Sequence, residues 1–399
     1  MRSLLPIAAC FAVACAPASS DGEVQGALTD IPQTAVKRQQ VGNCWIFATS
    51  AWVESLAYGE GGVASNVSEA YLTYHSWMRA IRMGRLVESD DDSEPSIRIA
   101  TGGYAGEALE LMRRYGLMSE ADFGVTTDDT ARAKREIEAE LSPGGALDTE
   151  RARTRERVRT VLDRAFRVPP QVKSAMTRAF GDDLSRTIPD GADLPPSITA
   201  PSEIRVGKDG SRVITLADAI GKPIGGDELV SHEGPYAWAD TVVGVDEALE
   251  DTVLRLKETL NAGFPVPIAW VVDRDYRSPD DGSFLSARIK LTDSELGYHE
   301  SLVDDYEIAL SSGKTLPAGR VERRQELLDQ ALDAGSRIQF LRVKNSWGFV
   351  SKTGIPQGEA GSRGYIDLAW KYLLPSRSEP RVTRFTLPPP RWRNVTRLH

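Results

Sequence analysis

The sequence predicts an α+β protein with two sub-domains and a cleft between them, because helical patterns come first along the chain and strand patterns follow. Residues 44–58 contain no proline or glycine and carry apolar bulk on nearly every face, which indicates a buried helix. Residues 249–260 repeat leucine and valine at helical spacing, and residues 266–272 then form an apolar strand. Residues 298–310 and 337–345 are predicted to be further strands.

The composition is ordinary for a soluble globular protein. Of the 399 residues, 41% are apolar and 26% are charged, so the chain is long and apolar enough to bury a large core. The formal net charge is −9, and no basic stripe with interleaved aromatic residues is present. Both observations argue against a nucleic-acid partner.

Residues 1–20 have the features of an export segment. Arg2 supplies a positive charge, residues 4–13 form a short apolar run, and small residues precede Cys15. The apolar run is about half the ~20 residues that a membrane-spanning helix needs. The segment resembles a bacterial lipoprotein signal, which implies lipidation of Cys15 and attachment to the bacterial outer membrane or retention in the periplasm. The alternative is secretion after conventional cleavage. Residues 21–35 are predicted to be a linker.

Cys44 is predicted to be the only cysteine inside the mature fold. The chain has three cysteines, of which Cys10 leaves with the export segment and Cys15 lies at its cleavage point. Cys44 therefore has no partner for an intramolecular disulfide, although exported compartments favour disulfides. One cysteine and four scattered histidines cannot supply the spacing of a structural zinc site. We expect no metal and no organic cofactor.

The position of Cys44 predicts a nucleophile. Gly42 and Asn43 are loop and N-cap residue types, so Cys44 falls in the first turn of the buried helix. Unpaired backbone N–H groups and the helix dipole favour an anion there, which for cysteine is the thiolate. A cysteine nucleophile also needs a base within hydrogen-bond reach, and that base needs an orienting group.

Two separated motifs resemble the active-site signatures of papain-like cysteine peptidases. The first is Gly-Asn-Cys-Trp-Ile-Phe-Ala at 42–48, and the second is Asn-Ser-Trp-Gly at 345–348. The resemblance implies that Cys44 is the nucleophile, that the Asn345 side chain orients the catalytic imidazole, and that Trp347 shields their hydrogen bond from water. An amide suits the orienting role because it fixes the imidazole tautomer without adding a charge.

The base must come from one of four histidines, His75, His232, His299 and His399. His299 enters the predicted strand 298–310, and in papain-like enzymes the catalytic histidine lies at the start of such a strand. His75 lies on a predicted helix, His232 in a predicted loop and His399 at the chain end. We therefore assign the role of base to His299.

The resemblance also implies an oxyanion hole. This hole needs the backbone N–H of Cys44 and a side-chain amide aimed at the developing negative oxygen. In the family, a glutamine six positions before the cysteine supplies the amide, but here that position is Arg38. A loop one residue shorter would let Gln39 serve, and Gln40 is the alternative.

Two glycines are candidates for substrate binding. Gly102 and Gly103 correspond to the family's Gly-Gly loop, which lies along the bound peptide. Glycine at such positions lets a substrate backbone approach main-chain groups closely.

We predict one peptidase domain over residues 36–375 and a C-terminal tail over 376–399. A helical insertion is expected at about 125–235, where no family match is found. A second insertion is expected at about 311–336, because His299 and Asn345 are much farther apart than in papain itself.

Two stretches refine these assignments. Residues 128–167 are rich in alanine, glutamate and arginine and are interrupted at 142–145, which predicts two helices in an appendage or cap. The pattern Leu-x-x-Gly-x-Pro-Val at 260–266, before a strand, resembles the bleomycin hydrolase or aminopeptidase C branch of the family.

The resemblance implies a peptidase that hydrolyses peptide bonds in peptide or protein substrates through a Cys-His-Asn thiolate–imidazolium mechanism and an acyl-enzyme. Two alternatives use the same residues. One is a catalytically silent papain-like binding protein, and the other is an acyl transferase or transpeptidase that passes the acyl group to an amine.

Overall fold

A computed structural model describes most of the chain. The described ranges are 31–58, 66–88, 97–189, 193–224, 231–243, 248–289, 296–349, 364–374 and 380–397. The predicted export segment, Cys15 and residues 21–30 of the predicted linker lie outside them. Within these ranges no helix is both long enough and apolar enough to cross a bilayer.

Helices and strands alternate unevenly along the chain. The α-helices of the described ranges are α1 (Cys44–Leu56), α2 (Glu69–Arg82), α3 (Ala105–Tyr115), α4 (Glu120–Phe123), α5 (Thr127–Leu141), α6 (Arg155–Ala165), α7 (Pro170–Phe180), α8 (Leu216–Ile220), α9 (Leu249–Asn261), α10 (Gln325–Leu332) and α11 (Trp370–Leu373). The strands are β1 (Leu86–Glu88), β2 (Ile97–Ile99), β3 (Arg205–Asp209), β4 (Arg212–Thr215), β5 (Lys222–Ile224), β6 (Ser231–Glu233), β7 (Ala239–Val242), β8 (Val266–Val272), β9 (Gly297–Ala309), β10 (Thr315–Leu316), β11 (Arg337–Lys344), β12 (Tyr365–Ala369), β13 (Val382–Leu387) and β14 (Val395–Thr396).

The predicted α+β class is confirmed. Helices α1 to α7 precede the main sheet, which is antiparallel and has the strand order β12-β11-β9-β8-β13-β7, with β10 paired to β9. In an α+β protein the helices and the antiparallel sheet form two separate layers, and each layer buries one apolar face against the other.

Helix α1 lies where the two parts meet. Its side chains are apolar on nearly every face, and Trp45, Ile46, Trp52 and Val53 are each at most 1% exposed. It packs against β9 on one side and against α2 and α3 on the other. The first residue of α1, Cys44, therefore lies at the junction between the helices and the sheet.

The region 125–235 is more than a two-helix cap. Helices α5 and α6 match the prediction, but α7 was not predicted. It begins at Pro170, where proline is tolerated because the first helical N–H needs no partner. Strands β3 to β6 follow it. Ile137, Leu162 and Phe180 are fully buried in the same core as α2, so the inner faces of these helices are structural.

The predicted tail 376–399 is wrong, because much of it belongs to the main sheet. Strand β13 lies between β8 and β7, and Phe385 and Leu387 are fully buried. Strand β14 pairs with β3, and Arg397 donates hydrogen bonds to the carbonyls of Gly263 and Ser55. The proline-rich composition concealed these strands.

The structure describes residues 31–35 of the predicted linker 21–35. Ile31 is 6% exposed, and the Pro32 carbonyl accepts a hydrogen bond of 2.7 Å from the Ser55 hydroxyl at the end of α1. Residues 31–35 therefore pack on the core.

The second predicted insertion, 311–336, contains β10 and α10. It connects β9 to β11.

Candidate active site

The Cys44 sulfur lies against the sheet. Backbone N–H groups of Trp45 and of Glu300 in β9 donate hydrogen bonds towards it. Asn43 is the N-cap residue, but it makes no side-chain cap bond; its Nδ2 donates instead to Thr73 Oγ1 of α2 at 2.9 Å. This contact fixes the start of α1 against α2, while the sulfur points towards β9. Cys44 is a free, partly exposed cysteine.

His299 and Asn345 come together because β9 and β11 are neighbours. His299 is the third residue of β9, and Asn345 follows the last residue of β11. The ring Nε2 of His299 lies 2.8 Å from Asn345 Oδ1. An amide oxygen can only accept, so Nε2 carries the hydrogen and Nδ1 is the acceptor. Asn345 Oδ1 also accepts from the Ser346 backbone N–H at 2.8 Å, which holds the amide in orientation.

Aromatic side chains enclose this hydrogen bond. The Trp347 ring lies 4.6 Å from the His299 ring, and Trp270 of β8 packs edge-on to it at 5.7 Å. The guanidinium of Arg277 lies 5.3 Å from the centre of the Trp347 ring. Since His299 is 5% exposed and Asn345 is 2% exposed, water has little access to the bond between them.

Burial dominates the electrostatics of the site. It raises the pKa of the Cys44 thiol to about 12, with a further increase from the Glu300 carboxyl and a partial decrease from the backbone donors. Burial lowers the pKa of His299 to about 4, partly offset by the hydrogen bond to Asn345. Desolvation penalises each charged form, so burial favours the neutral thiol and the neutral imidazole. The expected thiolate at the helix start stays a prediction, and desolvation of the sulfur opposes it.

The two candidate glutamines point in different directions. Gln39 Oε1 accepts from the Ser346 hydroxyl, and its Nε2 donates to the Val41 carbonyl at 2.9 Å. Gln40 Nε2 instead donates to Asp128 Oδ1 in α5 at 2.6 Å, an exposed contact. Gln39 is thus the glutamine that lies next to the Asn345–Ser346 segment.

Gly102 and Gly103 are both exposed and lie close to the start of α1. The Trp45 indole N–H donates to the Thr101 carbonyl at 2.9 Å, which ties the loop to the helix. A Cβ atom at Gly103 would lie 2.5 Å from Trp45, whereas one at Gly102 would meet no atom of the described residues within 4 Å. Close packing therefore requires glycine at Gly103, while Gly102 leaves open space beside the site.

The other histidines lie elsewhere. His75 is buried, stacks on Tyr115 at 4.0 Å, and has its pKa lowered by burial to about 3. His232 is buried 3.6 Å from Glu110. His399 lies outside the described residues. Across the described ranges, no group of three or more His, Cys, Asp or Glu side chains is arranged to hold a metal ion.

Sequence reasoning missed two buried features near the site. One is the Glu300 carboxyl, directly after His299. The other is an ionic cluster behind α1, where Lys37 Nζ lies 2.8 Å from Glu54 and 2.9 Å from Glu69. Glu54 lies on the otherwise apolar helix α1. Because a buried carboxylate needs a partner, this residue could have predicted the cluster.

Comparisons with known proteins give structural neighbours only. No family model matches the sequence, and no curated protein matches it. Xylellain, a cysteine protease from Xylella fastidiosa, is 13% identical; the alignment covers 94% of this chain and 86% of that chain, with a TM-score of 0.37. PepW from Lactobacillus rhamnosis is 12% identical, with 91% and 81% coverage and a TM-score of 0.39.

A third neighbour is the clostridial cysteine protease Cwp84. It is 10% identical, and the alignment covers 92% of this chain but 56% of that chain, with a TM-score of 0.34. Cysteine proteases are therefore among the structural neighbours of this chain.

Proposed function

We propose that this protein is a cysteine-type peptidase in which Cys44 is the nucleophile, His299 the base and Asn345 the orienting group. One observation carries the proposal. The His299 ring donates from Nε2 to Asn345 at 2.8 Å, and the backbone N–H of the next residue, Glu300, points to the Cys44 sulfur. The second ring nitrogen, Nδ1, is thereby left as the acceptor, on a residue whose chain neighbour contacts the nucleophile.

The proposed reaction has two halves. The Cys44 sulfur attacks the scissile carbonyl carbon as its proton passes to His299 Nδ1, and the carbonyl oxygen becomes negative. The backbone N–H of Cys44 and the Nε2 of Gln39 are the proposed donors to that oxygen. The imidazolium then gives its proton to the leaving amine as the C–N bond breaks. Water, deprotonated by His299, then adds to the acyl carbon. The C–S bond breaks, the proton passes from His299 to the Cys44 sulfur, and the acyl group leaves as a carboxylic acid.

The electrostatics favour proton transfer during attack. Because desolvation favours the neutral form of both partners, the proposed thiolate–imidazolium pair forms as the proton moves from sulfur to nitrogen. The hydrogen bond from Nε2 to the Asn345 oxygen strengthens as the ring becomes positive, since hydrogen bonds to charged groups are stronger than those between neutral groups. Asn345 therefore stabilises the charged state more than the resting state, which is the requirement for catalysis.

The raised pKa of the Cys44 thiol is the specific observation that favours a second candidate, a catalytically silent binding protein. A protein with an unreactive thiol does not need an oriented imidazole, so the His299–Asn345 hydrogen bond argues for the peptidase.

Transfer of the acyl group to an amine instead of water would use the same three residues. Product analysis separates that outcome from hydrolysis.

The experiment measures the alkylation of Cys44 by iodoacetamide at neutral pH and then the products formed from a mixed peptide library. We expect the alkylation rate of Cys44, divided by the fraction of its sulfur that is ionised, to exceed the same quantity for a free thiol of ordinary pKa. We also expect the peptides of the library to be hydrolysed. Both effects should be lost in Cys44→Ala and in His299→Ala. A wild-type thiol that reacts no faster than in His299→Ala would support the silent protein.

Two finer proposals come from the sequence alone. The pattern at 260–266 supports a relation to the bleomycin hydrolase or aminopeptidase C branch. The export segment supports lipidation of Cys15 and a location at the bacterial outer membrane or in the periplasm. Incorporation of labelled palmitate and globomycin-sensitive processing would test the second proposal; unlabelled secreted protein would overturn it.

A further inference from the structure

A small cavity lies beside the candidate active site, between helix α1 and strands β9 and β11. Its volume is about 20 Å³, which is room for one water molecule. Two small side chains of α1, Ala48 and Ala51, leave this space where the helix faces the sheet. Asn345, the proposed orienting residue, and Glu69, the first residue of α2, also line the cavity.

The side-chain amide of Asn345 uses only one of its two ends. Its Oδ1 lies 2.8 Å from His299 Nε2 and accepts from the Ser346 backbone N–H, which only an oxygen can do. This contact fixes the orientation of the amide, so the other end is Nδ2. That nitrogen is buried, and none of the described residues accepts a hydrogen bond from it. Because a buried N–H without an acceptor costs free energy, a partner is expected where Asn345 meets the cavity.

The carboxylate of Glu69 lacks the complementary partner. Its Oε1 accepts from Lys37 Nζ at 2.9 Å, while Oε2 is buried and receives no hydrogen bond from the described residues. Lys37 has three N–H bonds, and the other two go to Glu54 Oε1 and to the Val67 carbonyl. Lys37 therefore has no N–H left for Oε2. One buried donor and one buried acceptor thus belong to residues that line the same cavity.

We propose that the cavity binds one water molecule, which accepts a hydrogen bond from Asn345 Nδ2 and donates one to Glu69 Oε2. Water fits both the volume and the two atoms, because it accepts and donates at once. A metal ion or an ammonium ion could not accept from the Asn345 N–H, and the Glu69 carboxylate would repel an anion. Burial raises the pKa of Glu69 and the Lys37 ammonium opposes this, but water can bond to either form of the carboxyl.

The water gives Glu69 a positioning role, and this part of the inference rests on the proposed peptidase function. With a hydrogen bond at each end, the plane of the Asn345 amide is fixed, so Oδ1 stays directed at His299 Nε2. Glu69 is held in turn by Lys37, which also contacts Glu54 of α1. The ionic cluster behind α1 therefore reaches the orienting residue through a single water molecule.

The test begins with a high-resolution crystal structure of the wild type, which should show a water within about 3.2 Å of both atoms. Ala51→Val should fill the cavity with methyl groups and remove the water. We then expect kcat to fall by about 2- to 12-fold with KM unchanged, the loss for one hydrogen bond between neutral groups. Ala51→Ser is the matched control, because its hydroxyl can accept and donate as water does. It should keep kcat within about twofold of the wild type.

A second pair of variants tests Glu69 itself. Glu69→Ala removes the group that holds the water, whereas Glu69→Gln keeps a polar group of the same size there. Rates are expressed per Cys44 that iodoacetamide can alkylate, so misfolded protein is not counted. The proton on His299 Nε2, followed by NMR and identified by its loss in His299→Ala, should exchange with solvent faster in Glu69→Ala and Ala51→Val than in the wild type. Glu69→Gln should stay closer to the wild type in both measurements.

The outcomes separate this inference from the peptidase proposal. A wild-type crystal structure with no water bonded to Asn345 Nδ2 overturns the water site. A lower stability of Glu69→Ala and Ala51→Val, with unchanged kcat and unchanged exchange of the His299 proton, overturns the positioning role. Alkylation of wild-type Cys44 no faster than in His299→Ala overturns the peptidase proposal, while the crystal structure and the proton exchange still decide the water site.

Discussion

His299 and Asn345 lie 46 positions apart in the sequence, and a single hydrogen bond of 2.8 Å joins the Nε2 of one to the Oδ1 of the other. The pairing of β9 with β11 brings them together. Trp347 and Trp270 cover the contact. In this dry setting the bond fixes which ring nitrogen carries hydrogen, and therefore which nitrogen would accept the Cys44 proton in the proposed reaction.

We expect Asn345→Ala to lower kcat/KM by about 10- to 150-fold, because a hydrogen bond to a charged group contributes roughly 1.5–3 kcal/mol and this one strengthens as His299 gains charge. KM should change little, since Asn345 is not a proposed substrate contact. The measurement is steady-state kinetics with a peptide that the wild type cleaves. An Asn345→Ala protein with wild-type kcat would exclude an orienting role.

The rate of Cys44 alkylation should be independent of pH through the neutral range. Above a pH of about 4, His299 is neutral and can accept the thiol proton as the sulfur reacts. As the pH falls through about 4, the ring becomes protonated and the rate should fall. In His299→Ala only the free thiolate reacts, so the rate should rise about tenfold per pH unit towards the thiol pKa of about 12.

Iodoacetamide kinetics over a range of pH check this prediction, with the adduct located by mass spectrometry. A wild-type profile that also rises tenfold per pH unit would mean that His299 does not take the proton. A melting temperature for His299→Ala close to that of the wild type would show that the fold is retained.

Gln39→Ala and Gln40→Ala form a matched pair. Gln39 is held beside the site by the Ser346 hydroxyl, so removing its amide should lower kcat by about 10²- to 10³-fold, the usual loss for one oxyanion donor. Gln40 bonds to Asp128 on an exposed surface, so its replacement should leave kcat within about twofold. Equal effects of the two substitutions would remove Gln39 from the proposed oxyanion hole.

Gly103→Ala and Gly102→Ala should separate packing from substrate contact. A methyl group at Gly103 would lie 2.5 Å from Trp45 Cε2, so we expect a loss of about 1–3 kcal/mol in the free energy of unfolding. Gly102→Ala meets open space and should leave this free energy unchanged, while kcat/KM falls because the methyl group enters the peptide path. Urea unfolding and peptide kinetics measure the two effects; unchanged kinetics would place the peptide elsewhere.

The ionic cluster behind α1 should be important for stability. Glu54 has a side chain that is 1% exposed and lies 2.8 Å from Lys37, which also contacts Glu69 at 2.9 Å. Glu54→Ala leaves a buried cation short of a partner, so we expect the free energy of unfolding to fall by about 3–5 kcal/mol.

A surface pair supplies the control for that measurement. Arg178 and Asp193 lie 3.3 Å apart with side chains 62% and 94% exposed. Asp193→Asn should change the free energy of unfolding by less than about 1 kcal/mol, since water screens an exposed pair. Urea unfolding of the two variants and the wild type gives the comparison. A Glu54→Ala midpoint equal to that of Asp193→Asn would mean that the cluster contributes little.

Local patterns predicted the elements with strong periodicity. The helix from Cys44, the helix 249–260, and the strands 266–272, 298–310 and 337–345 all agree with the structure to within a few residues. Each of these patterns depends on side chains a few positions apart, so it can be read from one stretch of chain. Helix α7 begins at Pro170, a residue type favoured at the first helical position, and this signal was not used. Strand β13 was missed because its neighbours are proline-rich and only its packing between β8 and β7 reveals it.

The sequence by itself determined the residue types at the candidate site. They are a lone cysteine at a helix start, a histidine at the start of a strand, and an Asn-Ser-Trp-Gly segment. Only the tertiary structure decided how they combine. It placed Gln39 against Ser346 and Gln40 against Asp128, brought Glu300 beside the Cys44 sulfur, and buried Cys44 and His299 so that desolvation favours the neutral form of each. The physical reason is that burial and the distance between charges depend on segments far apart in the chain, and no local pattern contains them.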